Sequence, residues 1–150
     1  MGVDTARNEA VVHEFMERAF HQGDLSVIEQ TNAPDGIDHQ EPPGTDIIVH
    51  LKQVVVAMRT AFPDLHFEIH DMLAEGDMVA FRSTMTGTHL GVLNFVPGRS
   101  LPPTGRRVSV PHMHFLRIVD GKTKDLWHLW NTPLMLQQLE VAPVPETSRS

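Results

Sequence analysis

Ten histidines in 150 residues are the part of this sequence best suited to chemistry, because imidazole alone changes charge near neutrality without help. Side chains alternate between two faces of an extended segment. On Arg107 to Val119, His112 and His114 therefore share a face with Val110, Leu116 and Ile118. Asp120-Gly121 reads as a tight turn into Lys122 to Trp130, where His128 shares a face with Leu126 and Trp130. The two stretches are expected to be neighbours, so that imidazoles from both meet among apolar and aromatic groups. Burial keeps a histidine neutral, and a neutral imidazole in a pocket is a workable general base. Asp125, Trp127, Leu129 and Asn131 fall on the other face of the last stretch. Trp127 and Trp130 thus point to opposite sides, and one of them is a candidate platform for a flat substrate.

Each histidine taken singly also has a plain reading, as a residue that hydrogen-bonds a neighbour. His13, His21, His50 and His66 fall on expected helix or strand surfaces and receive no role, while His70 and His89 stay open. A metal site on His112-x-His114, with His128 or His70 as third donor, is the sharper alternative. No Glu follows His114 at a suitable short spacing, and the expectation is no metal.

Other classes fall away on composition. There are no cysteines, which removes thiolate nucleophiles, thiolate metal sites and disulfides and makes a reducing cytoplasm the expected compartment. The net charge of −7, with no basic cluster beyond Arg106-Arg107, argues against nucleic acid. No apolar run reaches the roughly 20 residues that span a bilayer, and Met1 to Arg7 lacks a signal-type apolar region. There is no phosphate-binding glycine loop and no G-x-S-x-G elbow.

The elements that must position the histidines are legible from periodicity. Val11, Val12, Phe15, Met16, Ala19 and Phe20 predict an amphipathic helix over Asn8 to Gln22, stopped by Gly23. Asp24 can cap a short helix, Leu25 to Gln30, and Ile37 to Gln40 reads as a short extended piece. Thr45 or Asp46 can cap a third helix with Ile47, Leu51, Val54, Val55, Met58, Ala61 and Phe62 on its apolar stripe, ended by Pro63. The period then changes to two, predicting a strand around Phe67 to Leu73, a turn at Glu75-Gly76-Asp77 and a strand over Met78 to Thr88. Leu90 to Gly105 is a long Gly/Pro-rich loop, and Pro133 to Leu139 a terminal helical turn. Helices first and a strand meander after them give an α+β layer fold, in one domain over 1–150 with a core of about 8–140 and a frayed tail over 141–150.

Four segments carry a resemblance to a known family. AFPDLHFEI from Ala61, AEGDMVAFRSTMTGTHLG from Ala74, PPTGRRVSVPHMHFLRIVDGK from Pro102 and LQQLE near the end resemble the SnoaL-like polyketide cyclases, over about Asn8 to Glu140. The resemblance implies a cone-shaped α+β barrel, shared with ketosteroid isomerase and scytalone dehydratase, whose curved and mainly antiparallel sheet encloses a pocket. It implies aldol cyclisation without metal or cofactor, with a pocket acid/base and polar neighbours for the enolate oxygen. It places His114 before Phe115-Leu116-Arg117 and His39 on the short piece after the second helix among the site residues. It also carries a departure. The family's catalytic Asp falls eight residues after the Asp of the Asp-Gly-Lys turn, which here is His128. A one-residue bulge would bring Asp125 or Asn131 inside in its stead.

The expectation is thus a cofactor-free enzyme for a small apolar carbonyl compound of polyketide type. His128, His114 and His39 are the catalytic candidates, and Trp130, His112, Asn131, Asp125, Phe62 and His89 the substrate contacts. The rival readings are a non-catalytic binding protein, a hydratase or hydrolase, and a metal-dependent enzyme. A small-molecule substrate, no nucleic acid, no membrane and a homodimer complete the expected partners.

Overall fold

The computed structural model describes residues 4–141. Of the tail expected to fray, residues 142–150 lie outside the described residues, while Val141 packs on the core and its N–H donates to the Leu136 carbonyl at 2.9 Å. Helix α1, Thr5–Phe15, starts where the Asp4 carboxylate accepts from the Arg7 N–H. It runs into a π-helical turn, Met16–His21. Helix α2 is Ser26–Thr31, and helix α3, Ile47–Ala61, is capped by Asp46, which accepts from the Ile48 and Val49 N–H groups. The strands are β1 Asn32–Asp38, β2 His66–Glu75, β3 Met78–Thr88, β4 Arg107–Val119 and β5 Lys122–Trp130. Helix α4, Thr132–Gln138, follows, and the Asn131 side chain caps it by accepting from the Leu134 N–H at 3.0 Å.

The sheet has five strands in the order β1-β5-β4-β3-β2. Strands β2 to β5 form the expected antiparallel meander. The short piece after α2 adds a fifth strand, because β1 pairs parallel to β5 at the sheet edge. That register places Asp38 beside Leu126. The inner face of the sheet packs against α1, its π-helical turn and α3, with Val12, Met16 and Phe20 meeting Leu51, Val55, Met58, Phe67, Phe81 and Leu116 in one core. Met16 and Phe20 sit on the π-helical turn, where the extra residue per turn shifts them relative to α1.

The loop between β3 and β4 is pinned at its base. The His89 N–H donates to the Arg106 carbonyl, the Gly105 N–H donates to the His89 carbonyl, and Leu93 pairs with Leu101 further out. Among the described residues no helix is long and apolar enough to cross a membrane.

Candidate active site

The inner face of the sheet and helices α1 and α3 enclose a cavity of about 360 Å³, within the size range of small-molecule sites. Its lining is mostly apolar: Val12, Met16, Phe20, Leu51, Met58, Phe67, Phe81, Phe95, Leu116 and Leu126 contribute. The polar groups are fewer: Asn32, Asp38, Gln40, Glu41, His50, His112, His114 and His128.

Strand register brings the three sheet histidines together. His114 lies directly across from His128, and His112 across from Trp130. On the other side of β4, His114 pairs with Phe81 and His112 with Ser83. The His114 ring stacks on Phe81 at 4.4 Å with 6° between planes. Ring centroids of His112 and His114 are 4.1 Å apart, and each lies within 5.8 Å of His128. Trp130 closes one end, 5.7 Å from His112 and 5.6 Å from Phe95 of the long loop.

Asp38 is the residue that the sequence reading lacked. Its carboxylate is 2% exposed and lies 3.1 Å from Nε2 of His128. It also accepts from the Gln40 N–H at 3.0 Å, and Nε2 of His50 is 3.7 Å away. Burial pushes the Asp38 carboxyl upward, but the hydrogen bond and charge of His128, the Gln40 N–H and the charge of His50 together outweigh it. The net shift is below the ordinary carboxylate value. Asp38 is therefore ionised at neutral pH and can only accept hydrogen bonds. Gln40 braces the same place from outside the ring, its Oε1 accepting the His128 backbone N–H at 2.8 Å.

His112 and His114 behave oppositely. Burial, followed by the charge of His128, pushes His112 down to about 3. Burial first, then the charges of His112 and His128, hold His114 well below the usual imidazole range. Both are neutral across physiological pH. Neither ring nitrogen of His112 has a protein hydrogen-bond partner, and Nδ1 of His114 has none.

Several residues expected in the site lie elsewhere. His39 follows Asp38 and so points to the opposite side, where it stacks on Trp127 at 4.5 Å and bonds the Asp125 carboxylate at 2.9 Å. Asp125 also faces Arg117 at 3.3 Å. The strand irregularity between Arg117 and Ile118 does exist, but it precedes the Arg117–Asp125 pairing and leaves Asp125 outside. Asn131 is spent as the cap of α4. Phe62 is fully buried behind the cavity, against Gly87, His89 and Phe95. His89 is also buried, and its Nδ1 accepts from the Thr104 N–H at 3.2 Å, which fixes the loop base. His50, which had received no role, lines the cavity on α3 and lies 3.5 Å from Glu41. Its signal was present: position 50 stands three residues after Ile47 and four before Val54, both on the apolar stripe.

A family model, SnoaL-like polyketide cyclase, matches residues 10–139. The chain belongs to this family. No curated protein matches it. Among solved structures, TsrD from Streptomyces laurentii superposes with a TM-score of 0.81 at 23% identity, over 93% of this chain and 99% of that one. AclR from Streptomyces galilaeus, described as a candidate hydroxylase, gives 0.75 at 32% identity, over 95% and 87%. IdmH from Streptomyces antibioticus, described as a candidate polyketide cyclase, gives 0.71 at 29% identity, over 89% and 99%. The five-stranded sheet with its packed helices is the cone-shaped α+β fold of this family. A carboxylate reaches His128 from the neighbouring strand, as Asp38.

Proposed function

We propose that the protein is a pocket enzyme that removes a proton next to a carbonyl of a small, largely apolar substrate, leading to intramolecular aldol cyclisation or isomerisation. The observation that carries this reading is the 3.1 Å hydrogen bond between His128 and the buried Asp38 carboxylate at the edge of an apolar cavity. An ionised carboxylate accepts, so Nε2 of His128 holds the hydrogen and Nδ1 holds the lone pair. The substrate proton passes to Nδ1, and the imidazolium so formed is stabilised by Asp38. The electron pair of the broken C–H bond moves onto the carbonyl oxygen, giving an enolate. His112 and His114, kept neutral, each offer an N–H to that oxygen. The enolate carbon then attacks a second carbonyl of the same molecule, or another carbon of the enolate system takes the proton back. In either case His128 returns its proton and the site is reset.

Trp130 and Phe95 supply flat apolar surface for an extended conjugated substrate. The description of IdmH as a candidate polyketide cyclase supports a polyketide-derived substrate class. The test is proton exchange, followed by NMR in deuterated water, on a panel of β-keto esters and aromatic oligoketides. Wild-type protein exchanges the acidic C–H of at least one of them. His128→Asn slows that exchange at least about 100-fold, and Asp38→Asn slows it by a similar factor, since the wrong tautomer of His128 is then free to form. Undiminished exchange in folded His128→Asn overturns the assignment. Tight binding of a panel member with no exchange in the wild type points to a binding protein instead.

A further inference from the structure

The cavity holds more nitrogen than one proton transfer needs. One ring nitrogen from each of His112, His114 and His128 lies within 4.8 Å of the other two. His112 is 7% exposed, yet both of its nitrogens are sealed from solvent without a protein partner, as is Nδ1 of His114. A buried polar group without a partner is costly and calls for one. His128, by contrast, is already oriented by the Asp38 carboxylate through Nε2. A carboxylate that fixes the far nitrogen of a ligating imidazole is the usual outer support of a histidine metal site. Asp38 also places a buried negative charge beside the His128 ring.

We propose that His112, His114 and His128 bind one divalent transition-metal cation of the zinc class. Three imidazoles suit Zn²⁺, Fe²⁺, Co²⁺, Ni²⁺ or Cu²⁺ and do not suit Mg²⁺ or Ca²⁺. With metal–nitrogen bonds of about 2.0–2.1 Å, tetrahedral donors stand about 3.3 Å apart. The three donors must close by up to about 1.5 Å from their 4.8 Å envelope, which small ring rotations on fixed strands provide. The fourth position opens to the cavity, where an oxygen ligand fits. This site departs from the metal-free chemistry that the family resemblance implies, and it does not depend on the proposed reaction. A cation on His128 takes up the lone pair that the proton transfer needs, so loading the site stops that reaction.

The experiment uses untagged, full-length protein stripped with chelator, because a histidine tag would mask the result. Zn²⁺ and Co²⁺ are titrated in by calorimetry, with Mg²⁺ as control. Co²⁺ binding is also followed by visible absorption, and Zn²⁺ binding by the ¹⁵N resonances of the imidazoles. The expected result is one Zn²⁺ or Co²⁺ per chain with a Kd tighter than about 10 μM, d–d bands of a four- or five-coordinate site, and shifts in the three cavity histidines. Asp38→Asn weakens binding about 10- to 100-fold, and His112→Phe abolishes it. No saturable one-to-one binding overturns the site, as do imidazole shifts confined to exposed residues such as His13 and His66. The imidazole spectra decide the matter in wild-type protein even where His112→Phe fails to fold. Absence of binding leaves the proposed reaction standing. One-to-one binding with undiminished proton exchange keeps the site and removes His128 as proton acceptor.

Discussion

Asp38 and His39 are neighbours in sequence and serve opposite sides of the sheet. At the end of β1 the Asp38 carboxylate points in to His128, and the ring of His39, the next residue, points out to Trp127 and Asp125. The family resemblance pointed to this stretch and the one-residue parity decided which side chain enters. The histidines on β4 and β5 were legible because two long strands joined by Asp120-Gly121 fix each other's register. The parity of β1 was not, because the residue exposed next to Asp38 is the apolar Ile37, at 52% exposure, which reads from sequence as the inward one. A direct comparison follows from this placement. His39→Ala leaves proton exchange close to the wild-type rate, because its ring lies outside the cavity, whereas His128→Asn slows it at least about 100-fold. Side-by-side rates under identical conditions check this, and a large loss in His39→Ala would place the outer cluster in the mechanism.

At the level of elements, the helices and the meander follow from period and punctuation. Helix α3 begins at the Asp46 cap and ends just before Pro63, as its stripe of Ile47, Leu51, Val55 and Met58 requires. The edge strand was harder to see. Its seven residues include Pro34-Asp35-Gly36, which read locally as a turn, and only a parallel partner about 90 positions away makes them a strand. The π-helical end of α1 has no local signature either, since Met16 to His21 continue the same apolar spacing. The exit of β3 shows how closely elements are pressed together. A Cβ on Gly91 would lie 1.9 Å from the Thr60 carbonyl oxygen at the end of α3. Gly91→Ala therefore lowers stability by about 1–3 kcal/mol, the range for forced overpacking. Gly98, at φ +75° with open space around it, costs about 1 kcal/mol from backbone conformation alone. Urea midpoints of the two alanine variants measure the difference, and equal midpoints would mean that the loop simply moves aside at Gly91.

For the molecule as a whole, the buried imidazoles predict how stability responds to acid. In the unfolded chain a histidine takes up a proton near pH 6.5, while His112 in the fold holds out to about 3. Between those values the unfolded state binds more protons, so stability falls as the pH drops through that window. His114 acts in the same direction. Asp38 is the opposite case in residue type with the same sign. Its folded value lies below the unfolded one, so its contribution is present above the ordinary carboxylate range and is lost only at lower pH. The decline from pH 6.5 towards 4 therefore belongs to the histidines. His112→Phe, which leaves a ring without a titrating group, makes the fall in melting temperature shallower over about pH 4 to 6.5, with His114 still contributing. Thermal unfolding across that range tests it, and a slope equal to that of the wild type would show that burial of His112 is not its source.

Asp38 and His128, hydrogen-bonded in the fold, are 90 residues apart in the chain. During synthesis at about 5–20 residues per second, roughly 5–20 s separate the appearance of Asp38 from that of His128. For that interval the acid on the first strand has neither its imidazole nor the backbone of its neighbouring strand. The bonded pair therefore forms in a single late event, when the last strand docks beside the first, and no truncated product released before His128 is made can contain it.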